Sequence, residues 1–317
     1  MKKVIVTGGA GFIGSHLADE LLRRGYYVTI LDDLSTGKME NITLLLKNEN
    51  LEFIEGNITD LPRLRKLFQG VDYIFHMAAI ASVPRSIDNP ELSHEVNATG
   101  TLKVLIAARD SGVKKVVFAS SSAVYGDTPV QPKTEDMTPD PQSPYAVTKL
   151  MGEHYCHIFH NIWELPTVSL RYFNVYGPGQ DSASDYAAVI PKFIEMISQG
   201  KPPVIFGDGE QTRDFTYITD VARATILAVE SQATGVFNIG NGESTSIEQL
   251  AQLSIEIIGK AKNLKPVHTD PRPGDIVHSI ADTTRASGFG YKPQYSLEEG
   301  LRETVSRLQV SPSTSGN

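Results

Sequence analysis

The chain of 317 residues is long enough for one large domain or two moderate ones, so its core needs no disulfide or metal staple. Its 29 basic and 37 acidic side chains leave a net charge of −8, which argues against a nucleic-acid partner, and a hydrophobic share of 40% excludes a disordered chain. A single cysteine, Cys156, fits a reducing compartment, and residues 1–6 run into a strand pattern without a secretory leader, so a cytoplasmic protein without a membrane span is expected.

The opening strand, 4–6, passes through a glycine-rich turn into a helix over 12–24 that Gly25 stops. Apolar runs rich in Val, Ile and Phe recur at 28–31, 51–54, 73–75, 116–118 and 168–170, too short for helices and therefore buried strands. Between them, stretches at 61–68, 91–111 and 145–160 carry apolar residues at helical spacing, the first two closed by Gly70 and Gly112. This alternation predicts an α/β fold, a Rossmann-type doubly wound parallel sheet with helices on both faces. After Arg171 the pattern loosens into Pro- and Gly-rich loops around helices at 190–199, 221–231, 247–258 and 297–308, a smaller, mixed α/β C-terminal substrate domain. The order strand, helix, strand at 215–218, 221–230 and 236–239 brings the chain back toward the large sheet. The expected division is 1–170 with a return at 214–240, then 171–308, then a disordered tail at 309–317.

The first strand ends in Gly8-x-x-Gly11-x-x-Gly14 directly before a helix. Glycines here permit a tight turn, close approach to a pyrophosphate and close helix–strand packing, while the helix N-terminus offers free N–H groups to the anion. Asp32 follows Gly14 by 18 residues at the end of the second strand, where a carboxylate accepts both ribose hydroxyls. Asp33 beside it repels a 2′-phosphate, which favours NAD over NADP. Asn57-Ile58 after the third strand is placed either to reach an adenine or to cap the next helix. The expected cofactor contacts are Gly8, Gly11, Phe12, Ile13, Gly14, Asp32, Asp33, Asn57, Ile58 and Ala78, joined by Tyr145 and Lys149.

Tyr145 and Lys149, four apart on a helix, share a face, so the ammonium is expected to lower the phenol pKa. Ser121, at the end of the fifth strand, can hydrogen-bond the same substrate hydroxyl. The three are the candidate catalytic residues, suited to taking a proton from an alcohol while a nicotinamide oxidises its carbon. His154, His157 and His160 spread around their helix rather than converging, so no metal is assigned.

Together with Val124-Tyr125-Gly126, Ser143-Pro144-Tyr145, Arg171-Tyr172-Phe173-Asn174, Arg213-Asp214 and Arg272-Pro273-Gly274-Asp275, these motifs resemble the extended short-chain dehydrogenase/reductase family and, within it, the UDP-hexose 4-epimerases. The resemblance implies tightly held NAD and a UDP-sugar bound between two lobes. It implies nucleotide contacts from Asn174, Ala188, Val189, Arg213, Arg272 and Asp275, with Ser121 or Ser122 at the reacting oxygen. It also implies a homodimer, using the surplus apolar groups of the Tyr145 helix together with helix 91–111. The chain departs from the galactose-type pattern at Asp33, at Asn57 and at Ala81, which stands in place of a Lys near the cofactor. Ser279 stands where that pattern has a bulky Tyr against the sugar 2-substituent, so N-acetylated UDP-hexoses are expected substrates beside plain ones. Three alternatives are weighed: an epimerase restricted to plain hexoses, a sugar-nucleotide dehydratase and a non-catalytic dinucleotide sensor. A dehydratase needs an acid pair where Ser122-Ala123 stand, and a sensor has no use for Tyr145 and Lys149.

Overall fold

Short runs of β-branched and aromatic residues, each followed by a segment that carries the chain back over them, build the first half of the molecule. In a computed structural model, which describes residues 1–181, 188–259, 264–271 and 277–310, these runs are β1 (Lys3–Thr7), β2 (Tyr27–Asp32), β3 (Leu51–Glu55), β4 (Tyr73–His76), β5 (Lys115–Ser121) and β6 (Thr167–Tyr172). The helices between them are α1 (Phe12–Arg23), α2 (Leu61–Leu67), α3 (Val83–Asp88), α4 (Pro90–His94), α5 (Gly100–Asp110) and α6 (Pro144–Trp163). Each strand expected in this half is present and one or more residues longer than its apolar run.

The expected continuous helix 91–111 is interrupted by a π-helical turn over Glu95–Thr99. The extra residue turns Asn97 inward, where its side chain accepts from Ile80 N–H at 2.8 Å and donates to the Ile80 carbonyl and to Thr148 on α6. Helix α3 has its own start signal, Ser82 accepting from Arg85 N–H with a proline in the first turn.

Beyond Tyr172 the strands other than β11 have two or three residues: β7 (Val175–Tyr176), β8 (Val204–Phe206), β9 (Thr212–Arg213), β10 (Thr216–Tyr217), β11 (Gly235–Ile239), β12 (Thr245–Ser246), β13 (Val267–Thr269) and β14 (His278–Ser279). They alternate with α7 (Val189–Ser198), α8 (Ile218–Glu230), α9 (Ile247–Ile258), α10 (Thr284–Ser287) and α11 (Leu297–Val310). Among the described residues, only β11 returns to the large sheet. The expected strand at 215–218 pairs instead with β7, because the loop after β6 has already left the sheet there. Residues 311–317 of the expected tail lie outside the described residues.

The large sheet has seven parallel strands in the order β11-β6-β5-β4-β1-β2-β3. One core packs α1 and α8 on one face and a second packs α2, α5 and α6 on the other. A third core joins α7, α9 and α11 beneath the short strands. Between β1 and β4 the strand order reverses, which opens a crevice beyond their C-terminal ends. Among the described residues no helix is long and apolar enough to cross a membrane.

Candidate active site

At the mouth of that crevice, Gly8 has φ +69°, and a Cβ there would lie 2.6 Å from the Ala78 Cα. A Cβ on Gly14 would lie 2.1 Å from the Gly8 carbonyl oxygen, so α1 packs against the loop at a distance only glycine allows. A Cβ on Gly11 would meet only the Gly8 oxygen, at 3.2 Å, and otherwise face open space. It precedes α1 without a side-chain cap, which leaves the first N–H groups of the helix to an outside acceptor.

A cavity of about 240 Å³ opens over this turn, walled by Gly8, Gly11, Phe12, Ile13, Gly14, Asp32, Asp33, Ile58 and Ala78 among the expected residues. Leu31, Ser35, Thr36, Gly56, Met77, Ala79, Ile80, Ala81 and Val96 complete the wall, and of these the sequence had pointed only to Ala81 as a cofactor neighbour. The two acids differ in environment. Asp32 is buried and accepts from the N–H groups of Ala10 and Leu34, both at 2.9 Å, with its carboxyl pushed up by burial. Asp33 is exposed and accepts from Ser35 and from the Asn57 amide. Asn57 is not on the wall. Its carbonyl oxygen accepts from the backbone N–H and hydroxyl of Thr59, both at 2.8 Å, so the turn before α2 already uses the acceptor an adenine contact requires.

A second cavity, of about 350 Å³, shares Ile13, Met77, Ala79 and Ala81 with the first and lies over the ends of β5 and β6. Ser121, Ser122, Tyr145, Lys149, Asn174, Arg213 and Ser279 meet on its wall, joined by Val83, Tyr172 and Val175, which sequence reasoning had not singled out for it. The start of α6 fixes the pair Tyr145 and Lys149. Ser143 accepts from Ala146 N–H, and the Ser86 hydroxyl of α3 accepts from Tyr145 N–H at 3.1 Å.

Lys149 Nζ donates to the Ala119 carbonyl at 2.6 Å and lies 5.8 Å from the centre of the Tyr145 ring. Burial pushes this amine down to about 8, opposed by the nearby Glu153 carboxylate. Burial pushes the Tyr145 phenol up, and a hydrogen bond from Ser121 opposes it. Lys149 is not among the causes that move this phenol, and one N–H of its ammonium donates to a backbone carbonyl. Acidifying the phenol calls for further positive charge in the cavity.

Behind the wall, Glu153 forms a two-pronged pair with Arg171 at 2.9 and 2.7 Å and accepts from the Ser120 hydroxyl at 2.5 Å. Glu153 lies one helical turn beyond Lys149, a spacing that could have flagged it. On the far side, Ala188 is exposed and Val189 half-buried at the start of α7, and neither is on the wall. Arg272 and Asp275 lie outside the described residues. Among the described residues, no group of three or more His, Cys, Asp or Glu is placed to hold a metal ion.

The uncapped helix end, the open face of Gly11 and the carboxylate of Asp32 make a cradle that fits a dinucleotide. The comparisons with known proteins agree. Residues 4–240 match the model of the NAD dependent epimerase/dehydratase family. The solved structure of a UDP-N-acetylglucosamine 4-epimerase from Methanobrevibacter ruminantium, in complex with UDP-N-acetylmuramic acid, is 46% identical with a TM-score of 0.94, over 97% of this chain and 98% of that one. A UDP-glucose 4-epimerase of Mycolicibacterium smegmatis is 41% identical over 96% of this chain and 97% of its own. The UDP-glucose 4-epimerase of Thermus thermophilus, solved with NAD, is 37% identical with a TM-score of 0.88 over 98% of this chain and 99% of that one. The chain thus belongs to the NAD-dependent epimerase/dehydratase family, as an isomerase of the UDP-sugar 4-epimerase group with NAD as its cofactor.

Proposed function

We propose that the protein interconverts UDP-N-acetylglucosamine and UDP-N-acetylgalactosamine by inverting C4 through a 4-keto sugar, and that it also acts on UDP-glucose and UDP-galactose. The observation that carries the choice of sugar is Ser279, a small, buried side chain on the same cavity wall as Tyr145 and Lys149. A serine leaves room for an acetamido group that a large ring would exclude, and it still admits a hydroxyl. The similarity to an N-acetylglucosamine epimerase at 46% identity supports the same reading.

Gly8, Gly11, Gly14 and the start of α1 hold the pyrophosphate of NAD, and Asp32 holds its ribose, with Asp33 beside it. NAD, when bound, supplies the reversible oxidant for the sugar C4 and the positive charge that the Tyr145 phenol needs to ionise. Tyr145 takes the C4 hydroxyl proton and later returns it. Ser121, with Ser122 next to it, donates to the same oxygen, and Lys149 keeps a positive charge at the base of the pair. Asn174 and Arg213 face the UDP portion, and the cavity gives the planar ketone space to turn between its two faces. Arg272 and Asp275 are assigned to the nucleotide on the motif alone.

The same α6 leaves Val147, Ile158 and Ile162 exposed on one stripe, beside Val83, Ile87 and Leu92 of α3 and α4. A second copy packed on this face accounts for them, and light scattering at the mass of a monomer would discard the dimer.

The substrate test is the initial rate on both sugar pairs for the wild type and Ser279→Tyr. The expected outcome is turnover of both pairs by the wild type, with Ser279→Tyr lowering the N-acetylated rate at least ~100-fold more than the plain one. No N-acetylated turnover by the wild type, or an equal loss on both pairs, leaves an epimerase of plain hexoses or of another UDP-sugar.

A further inference from the structure

We propose that Gln131 is a positioning residue that fixes Ser279 on the cavity wall and thereby sets which C2 substituent the sugar pocket accepts. The inference rests on the reading that Ser279 faces that substituent. Strand β14, which carries Ser279, is two residues long, too short to be held by its own ladder. On one edge it pairs in parallel with β9, where Thr212 N–H donates to the Val277 carbonyl at 2.9 Å. On the other edge, the groups flanking Ser279 are the His278 carbonyl and the Ile280 N–H. One side chain meets both: the Gln131 amide nitrogen donates to the His278 carbonyl at 2.7 Å, and its oxygen accepts from Ile280 N–H at 3.0 Å.

A primary amide offers a donor and an acceptor much as a peptide unit does. Gln131 therefore stands in for one residue of a third strand, and the backbone takes over immediately afterwards. Lys133 N–H donates to the Ile280 carbonyl at 2.7 Å, and the Lys133 carbonyl accepts from Asp282 N–H at 2.9 Å. The loop that presents Gln131 is itself braced. Lys133 is buried with its ammonium on the Thr128 carbonyl, and the Asp127 carboxylate accepts from Val277 N–H at 3.3 Å. Gln131 is not among the residues that line the cavity. Its removal leaves the wall chemically intact and releases, on that edge, the two backbone groups that flank Ser279. An acetamido group fills the space beside Ser279 and feels that freedom, whereas a hydroxyl leaves the space empty.

The test measures kcat and KM for UDP-N-acetylglucosamine and UDP-glucose with the wild type, Gln131→Ala, Gln131→Glu and Ser279→Tyr. Gln131→Ala is expected to raise KM for the N-acetylated sugar about tenfold while UDP-glucose kinetics stay within about twofold. In Gln131→Glu the carboxylate keeps the acceptor for Ile280 N–H but cannot donate to the His278 carbonyl until it is protonated. Its KM for the N-acetylated sugar is expected to fall toward the wild-type value as the pH is lowered through the carboxyl range. Asp127, Lys133 and His278, the titratable groups around this position, are common to both Gln131 variants, so the ratio of the two isolates the introduced carboxyl. If Ser279→Tyr is selective against the N-acetylated sugar while Gln131→Ala matches the wild type, or loses both substrates equally, the positioning role fails and the Ser279 reading stands. If Ser279→Tyr loses both equally, that reading fails and takes the inference with it.

Discussion

On the sheet side of the cleft the functional groups sit at the ends of long elements; on the opposite side they sit on strands of two residues. Ser121 closes a seven-residue strand paired on both edges, and Tyr145 and Lys149 ride a 20-residue helix tied to β6 by the buried Glu153–Arg171 pair. Arg213 and Ser279 come from β9 and β14, and the turns around them converge on one buried carboxylate. Asp214 accepts from the N–H groups of Asn241 at 2.7 Å, Gly242 at 2.9 Å and Ala281 at 3.1 Å. Asp220 does the same for Gln294 and Tyr295. On the proposed reading, register places the chemistry and point anchors place the sugar pocket. On that reading such a division lets loops change the accepted sugar without displacing the base.

The largest expected effect tests whether the chemistry belongs wholly to the sheet side. Tyr145→Phe removes the proton acceptor and leaves the helix, the glycine turn and the loops untouched. Turnover is expected to fall ~10²–10⁴-fold, the range for loss of a general acid–base group. Nucleotide released on denaturing the variant should still be NAD or NADH in the wild-type amount, because the cradle is intact. If more than a few per cent of turnover survives, the base lies elsewhere and the comparison above breaks. Recovery of NADP would overturn the role given to Asp32 and Asp33.

The sheet side was legible because its code is local. Each strand of the first half is an apolar run, Gly25, Gly70 and Gly112 stop three of the helices at positive φ, and Ser121, Tyr145 and Lys149 follow from their places on those elements. A one-residue bulge escapes such a reading: the turn at Glu95–Thr99 leaves the apolar spacing of its neighbours intact, and its cause, Asn97 bonding to Ile80, is a contact between distant residues. The two-residue strands of the sugar side carry no periodicity at all, so β9, β12 and β14 were invisible and 215–218 was assigned to the wrong sheet. Asn57 shows a similar limit. Its place after the third strand was legible, but the commitment of its oxygen to Thr59 depends on a turn geometry that no spacing encodes.

A smaller effect, in stability, sharpens the comparison from the sugar side. Asp214 accepts three backbone hydrogen bonds that favour its ionised form, yet burial outweighs them and pushes its carboxyl from the ordinary 3.8 up to about 6. Between these values the folded state keeps the proton that the unfolded chain has already released. Stability from this group is therefore greatest below the unfolded value and declines as pH rises through the folded one. A shift of this size corresponds to about 3 kcal/mol. Asp214→Asn cannot titrate and, with one acceptor oxygen in place of two, holds fewer of the three N–H groups, so it is less stable throughout. Urea unfolding of the two proteins in parallel cancels every other titration. The advantage of the wild type over Asp214→Asn is expected to shrink by about 2 kcal/mol between pH 4 and pH 7, where the unfolded carboxyl has already released most of its proton at the lower end. A gap that stays constant or widens over that range would mean that Asp214 is ionised at no cost, held by its N–H donors as firmly as a paired charge. The sugar side would then be anchored by electrostatics rather than by a carboxylate retained in spite of its burial.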